Sequence, residues 1–244
     1  MKAVILAAGV SSRLRPLTND TPKCLIKVGN KTILERTLNN LTANDIKDII
    51  IVTGYLENQI RDYISKKYPQ LSVQYIFNNL YESTNNIYSL WMTKEYVLNN
   101  NVLLLDSDII FDKRIIELLL NSKYENCLAI NSKDELGNEE IKVKVNPDNS
   151  IIDINKEVNP NEAVGESIGI EKFNSLIVEK LFKVLDKKIL VEKNVNQFYE
   201  AAFQEVIDSK GKIYAVDVGK YRCIEIDTFD DMENAKSQII NYLN

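Results

Sequence analysis

The chain has 244 residues, 45% of them apolar, enough to bury a core in one large domain or two small ones. A formal net charge of -5 with no long basic stripe makes nucleic acid a poor partner, and the absence of any run of about 18 apolar residues argues against a membrane span. There is no histidine, and the three cysteines, Cys24, Cys127 and Cys223, are far apart, which excludes histidine-based catalysis and suits neither a zinc site nor a disulfide framework.

Residues 2–8, KAVILAA, form an apolar run that ends at Gly9, as a buried strand does. They begin too soon to leave room for a signal peptide, so a cytoplasmic protein is expected. Leu34, Leu38 and Leu41 stand at helical spacing within 32–43. DIIIVTG (48–54) reads as a second buried strand, followed by a helix through 56–67. VQYIF (73–77) is a third strand, 86–97 a helix, NVLLLDSD (101–108) a fourth strand and 113–121 a short helix. This alternation predicts a mostly parallel sheet with helices on both faces. Such sheets bind ligands at the carboxyl ends of their strands, where Gly9, Gly54, Asn78 and Asp108 fall.

Beyond residue 140 the rhythm changes. IKVKVN and IIDINK flank the turn PDNS and predict a hairpin over 141–156. GESIGIEKF gives another strand, helical patterns follow near 174–186 and 197–209, strands at 212–218 and 222–226, and a helix from 229. No repeat, linker or low-complexity segment appears, and a single domain over 1–244 is expected.

The segment LAAGVSSRLRPLTNDTPKCL, residues 6–25, carries the first chemistry. A glycine directly after a buried strand lets the backbone turn tightly and approach a ligand, and turn amides cradle phosphate oxygens. Arg13 offers a planar fork of donors and Lys23 a mobile point charge, a set that suits a triphosphate attacked at its α-phosphorus. No Gly-Lys-Ser/Thr occurs, so this is not a Walker loop, and Gly9-Val10-Ser11 does not supply the dinucleotide fingerprint. The plainer alternative is a strand-turn-helix with solvated cations. Asp106 and Asp108 close the fourth strand, where a carboxylate pair is a common Mg²⁺ anchor beside phosphates. In CIEIDTFDDMENA a strand again leaves an acid, Asp227, before a helix capped by Thr228 or Asp227. Asp230 and Asp231 then fit first-turn caps, leaving Asp227 as the metal candidate.

Taken together, residues 6–25 resemble the signature of nucleotidyltransferases that activate phosphorylated substrates. These include sugar-nucleotide pyrophosphorylases and bacterial phosphocholine cytidylyltransferases. The tract YESTNNIYSLWMTKEYV (81–97) and the segment IIDINKEVNPNEAVGESIGIEKF resemble the branch acting on phosphocholine and 2-aminoethylphosphonate, and the likeness extends to about residue 235. It implies an α/β fold: a Rossmann-like, mostly parallel sheet with helices on both faces and a small β-rich acceptor lobe. By position it implies that Ala8 and Gly9 approach the nucleotide through their backbone. Arg13 would hold the β- and γ-phosphates, and Lys23 would lie against the α-phosphate. Leu6, Ser12, Thr84, Asn85 and Asp106 fall on the nucleotide side, and Asp108 and Asp227 hold Mg²⁺. Lys156 would meet the acceptor phosphate or phosphonate. Glu166 and Glu200 could pair with a primary ammonium, whereas Tyr88, Trp91, Tyr199 and Tyr221 could face a quaternary one.

The activity implied is a Mg²⁺-dependent transfer of CMP from CTP to a small phosphorylated or phosphonate amine, releasing pyrophosphate. Candidate acceptors are phosphocholine, phosphoethanolamine, 2-aminoethylphosphonate or an amino-acid-derived phosphate. CTP and this acceptor are the expected partners, with a homodimer left open and neither nucleic acid nor a membrane involved. A sugar-1-phosphate nucleotidyltransferase shares the first 30 residues and the acids. A glycosyltransferase shares only Asp-Ser-Asp, and a nucleotide sensor has no reason to keep Lys23, Asp108 and Asp227 together.

Overall fold

The computed structural model describes residues 1–132, 136–239 and 242. Its first half alternates strand and helix: β1 (Lys2–Ala7), a small hairpin of β2 (Lys27–Val28) and β3 (Lys31–Thr32), α1 (Ile33–Ala43), β4 (Asp48–Thr53), α2 (Glu57–Lys67), β5 (Ser72–Phe77), α3 (Asn86–Met92), α4 (Lys94–Val97) and β6 (Val102–Asp106). The second half holds β7 (Ile109–Phe111), α5 (Arg114–Leu120), β8 (Cys127–Asn131), β9 (Lys142–Val145), β10 (Ile151–Asn155) and β11 (Gly165–Phe173). It ends with α6 (Ser175–Asp186), α7 (Glu200–Asp208), β12 (Tyr214–Asp217), β13 (Cys223–Glu225) and α8 (Phe229–Asn234).

Strands β6, β1, β4 and β5 lie side by side and parallel, with Val4 opposite both Ile50 and Leu104. β11 runs antiparallel along β6 and carries the β9–β10 hairpin and β8, while β12 joins β8 in parallel. The β-rich region is thus built on the antiparallel edge of the same sheet. Alternation along the buried strands feeds two cores. Val4, Leu6, Ile50 and Val52 face α3, α6 and α7, whereas Ala3, Ile5, Ile49 and Ile51 face α1, α2 and α5. Each buried Val, Leu or Ile side chain among them contributes about 1.5–3 kcal/mol, which is why these strands carry no polar side between them.

Several elements differ from the sequence reading, the β2–β3 hairpin among them. The strand expected over 101–108 stops at Asp106, and β7 leaves the main sheet to pair with β13. The helix expected over 86–97 divides at Thr93, whose buried hydroxyl donates to Leu90 O at 2.7 Å. Strand β8, CLAIN, was not expected; it is flanked by β11 and β12 and buried along its length. Cys24 and Cys127 are buried thiols, pushed up by desolvation to about 12 and about 11. Among the described residues no helix is long and apolar enough to cross a membrane.

Candidate active site

A cleft of about 990 Å³ opens where β1, β5 and β6 end, and its floor and walls come from all parts of the chain. From β1 it receives Leu6, Ala8 and Gly9. A Cβ at Gly9 would meet nothing within 4 Å, so that backbone presents an open face to the cleft. The chain then reverses through Ser11, held left-handed at φ 52, with its carbonyl accepting from Thr18 Oγ1 at 2.9 Å. Ser11, not Ser12, lines the cleft; Ser12 begins a single 3₁₀ turn, Ser12–Leu14, anchored by the buried Leu14. That turn sends Arg13 outward, where its guanidinium pairs with Asp227. Pro22 precedes a second 3₁₀ turn, Lys23–Leu25, and directs Lys23 into the cleft with only 8% exposure.

The acids arrive from two separated strands. Asp108 sits in the turn between β6 and β7, and Asp227 follows β13. Pairing of β13 with β7 places Glu225 opposite Ile109, and the Ile226 amide donates to Asp108 O at 3.0 Å. One carboxylate oxygen each from Asp108, Glu225 and Asp227 then lie within 4.8 Å of one another. Asp108 Oδ1 is buried without a hydrogen-bond partner. Hard oxygen donors with an unsatisfied atom among them are the set a divalent cation requires. The Lys23 ammonium donates to Asp108 Oδ2 at 2.7 Å and Asp227 Oδ1 at 2.6 Å. Burial works against its charge, but the two carboxylates outweigh burial and raise the Lys23 pKa. Glu225 faces the cleft. Partial desolvation there, with the charges of Asp108 and Asp227, raises its carboxyl above the usual range. Glu225 was missed in the sequence, although Glu225 and Asp227 stand two apart in the strand pattern and share a face.

Asp231 borders the cleft, but its carboxylate is engaged with the backbone. It forms a capping box with Thr228, and its Oδ2 also accepts from the Asp227 amide at 3.0 Å. Asp106 stands apart from the three clustered acids. Its Oδ2 accepts from Tyr199 Oη at 2.9 Å, and it packs against Gly169, where a Cβ would come within 2.6 Å of Oδ2. Gly169, at φ +68 in an irregular stretch of β11, has the backbone conformation and the missing side chain that this contact needs. Burial first, then the charges of Asp108, Glu200 and Glu225, hold the Asp106 carboxyl well above its usual range. Glu171, behind it and fully buried, is raised by the same kind of burial and by Asp106 and Glu200, and its Oε2 has no partner.

The opposite walls hold the other expected residues. Asn85 caps α3, accepting from the Asn86 amide at 2.7 Å, and Thr84 accepts from Asn78 Nδ2 at 3.1 Å. Thr84, Asn85 and Asp106 all border the cleft, as do Lys156, Glu166 and Glu200. Lys156 donates to Glu139 Oε2 at 2.9 Å and lies over the Phe198 ring. Tyr88 and Trp91 do not line the cleft, which corrects their placement on the acceptor side. Their rings pack together at 5.4 Å, and Trp91 Nε1 donates to Asp186 at 3.0 Å, so they join α3 to α6.

Residues 2–139 match the family described as Nucleotidyl transferase. The chain is 28% identical over 253 residues to the CTP:phosphoglutamine cytidylyltransferase of Campylobacter jejuni, covering 96% of this chain and 98% of that one. It is 46% identical over 103 residues to the choline-phosphate cytidylyltransferase of Streptococcus pneumoniae, covering 42% and 43%. Among solved structures it resembles the CTP:phosphocholine cytidylyltransferase LicC of Streptococcus pneumoniae, with a TM-score of 0.77, 29% identity, and coverage of 96% and 97%. A matched region that includes Gly9, Arg13, Lys23 and Asp108, together with a whole-chain structural likeness, gives the conclusion: this chain belongs to the nucleotidyl transferase family.

Proposed function

We propose that the protein transfers CMP from CTP to a small phosphorylated or phosphonate amine. An oxygen of the acceptor phosphate attacks the α-phosphorus of CTP in line. The bond from the α-phosphorus to the bridging oxygen breaks, and pyrophosphate leaves with that electron pair. An acceptor phosphate is already anionic near neutral pH, so the step needs alignment and charge stabilisation more than a proton carrier. A chain with no histidine meets that requirement.

The observation that carries the reading is the Lys23 ammonium, bonded to both Asp108 and Asp227 beside the open backbone face of Gly9. In this reading Lys23 turns to the α-phosphate, Arg13 takes the outer phosphates, and Ala8 and Gly9 admit the nucleotide along their backbone. Asp108, Glu225 and Asp227 would hold Mg²⁺, which neutralises phosphate charge when bound. Lys156, Glu166 and Glu200 form the acceptor wall. Similarity to cytidylyltransferases acting on phosphoglutamine and choline phosphate supports both CTP and the class of acceptor.

The test is pyrophosphate release with each of the four ribonucleoside triphosphates and dTTP against phosphorylated amines, amino-acid phosphates and sugar 1-phosphates. Turnover is expected with CTP and an amine-bearing acceptor. Turnover confined to sugar 1-phosphates, or to UTP or dTTP, would replace the reading with a sugar-nucleotide pyrophosphorylase.

A further inference from the structure

We infer that Glu200 selects the cationic end of the acceptor, and that this end is an ammonium with N–H donors rather than a quaternary group. The inference rests on the cytidylyltransferase reading above and narrows its substrate class. Glu200 opens α7, is 6% exposed, borders the cleft, and has Oε2 buried without a hydrogen-bond partner. A buried acceptor atom left unpaired is costly, and a ligand N–H is what would satisfy it. An ammonium would add charge to that hydrogen bond. Burial raises the Glu200 carboxyl to about 7, so a cation arriving beside it would favour the ionised form.

The aromatic side chains bordering the cleft point the same way. Among the described residues these are Tyr81, Phe198 and Tyr221. A quaternary ammonium is held by several open ring faces. Here the Tyr221 ring already meets Arg114 at 4.7 Å and Lys220 at 5.0 Å, and the Phe198 ring meets Lys156 at 5.1 Å. Tyr81 packs so closely on Gly54 that a Cβ there would lie 2.7 Å from the tyrosine's own Cβ. Trp91, the single tryptophan, is committed to Asp186. The cleft thus presents a buried carboxylate oxygen without a hydrogen-bond partner, whereas two of its three aromatic rings already carry a protein cation.

Glu200 is proposed as a specificity residue, so the test separates acceptor from nucleotide. At saturating CTP, kcat and KM would be measured for phosphoethanolamine, phosphocholine and ethyl phosphate, which lacks the cation. The native protein is expected to prefer phosphoethanolamine over phosphocholine by about ten-fold or more in kcat/KM. Glu200→Gln should raise KM for phosphoethanolamine by about ten-fold to a hundred-fold, with a small effect on ethyl phosphate, so that the preference disappears. Glu200→Asp should retain the preference in weakened form. CTP affinity, measured calorimetrically, should stay the same in each variant. A preference of the native protein for phosphocholine would overturn the inference and leave the cytidylyltransferase reading standing. Equal losses for all three acceptors in Glu200→Gln would reduce Glu200 to a structural residue. If Glu200→Gln does not fold, the native acceptor series decides alone. Reaction only with sugar 1-phosphates would remove both readings.

Discussion

Lys23 donates to Asp227 Oδ1 at 2.6 Å although 204 positions separate the two residues in the chain. The same ammonium reaches Asp108, so one cation joins the turn after the first strand to the acids of two others. If Lys23 serves the α-phosphate, Lys23→Ala should lower kcat by roughly 10²–10³, the usual effect of losing one preorganised charge, and change CTP affinity only a few-fold. Pyrophosphate-release kinetics and calorimetric CTP titration measure the two quantities. Near-normal kcat would remove Lys23 from the chemistry.

Asp227 and Asp231 make a matched pair for testing the metal. Asp227 belongs to the three-carboxylate cluster, whereas Asp231 spends its Oδ2 on the capping box and on the Asp227 amide. Asp227→Asn should fold normally, lose most activity and need a higher Mg²⁺ concentration for half its remaining rate. Asp231→Ala should lower stability by about 1 kcal/mol, as loss of a helix cap does. Its divalent-ion requirement should remain that of the native protein. Full activity of the native enzyme in excess chelator would refute a role for the cluster in metal binding.

Much of this site is legible in the chain because it obeys local rules. KAVILAA and DIIIVTG are buried on both faces, so their apolar runs announce strands, and Gly9 and Pro22-Lys23 mark turns by backbone chemistry alone. Two features are not local. CLAIN has the apolar character of a strand but is short and follows a charged stretch. Only its neighbours β11 and β12 settle its state. Tyr88 and Trp91 stand in a tract rich in site residues, yet helical geometry turns them toward α6, and the partner that holds Trp91 lies 95 positions away. Glu225 illustrates the opposite case. Its spacing from Asp227 was readable, but its value depends on β13 pairing with β7.

The buried acids make stability depend on pH. Glu171 is fully buried and its carboxyl is held well above the usual range, chiefly by desolvation. The folded chain therefore keeps a proton that the unfolded chain has lost, so stability falls as pH rises above the ordinary glutamate value of about 4.5. Glu200, raised to about 7, adds a loss on the order of 3 kcal/mol across pH 4.5–7. Glu171→Gln keeps the shape and removes the titration. Urea midpoints at pH 5 and pH 8 should differ less in this variant than in the native protein. An unchanged difference would show that Glu171 binds the same number of protons folded and unfolded over that range, so that burial does not raise its carboxyl.

Gly169 and Asp106 supply the most stringent geometric test. The glycine adopts φ +68, and a Cβ there would stand 2.6 Å from Asp106 Oδ2 and 3.1 Å from its Cβ. Asp106 has little room to retreat, because Tyr199 Oη holds the same oxygen at 2.9 Å. Gly169→Ala combines two penalties, a left-handed backbone of about 1–2 kcal/mol for a residue with a Cβ and the displacement of Asp106. Gly169→Asn separates them, since asparagine tolerates that backbone far better than alanine but still brings a Cβ. Alanine should therefore cost more stability than asparagine in thermal melts. If Asp106 stands beside the nucleotide as proposed, both should lower kcat by a similar factor, because both displace the same carboxylate. CTP affinity should change less than kcat in either variant. If Gly169→Asn matched the native protein in kcat, the packing of Gly169 against Asp106 would have no bearing on the reaction, and the glycine would serve only the irregular backbone of β11.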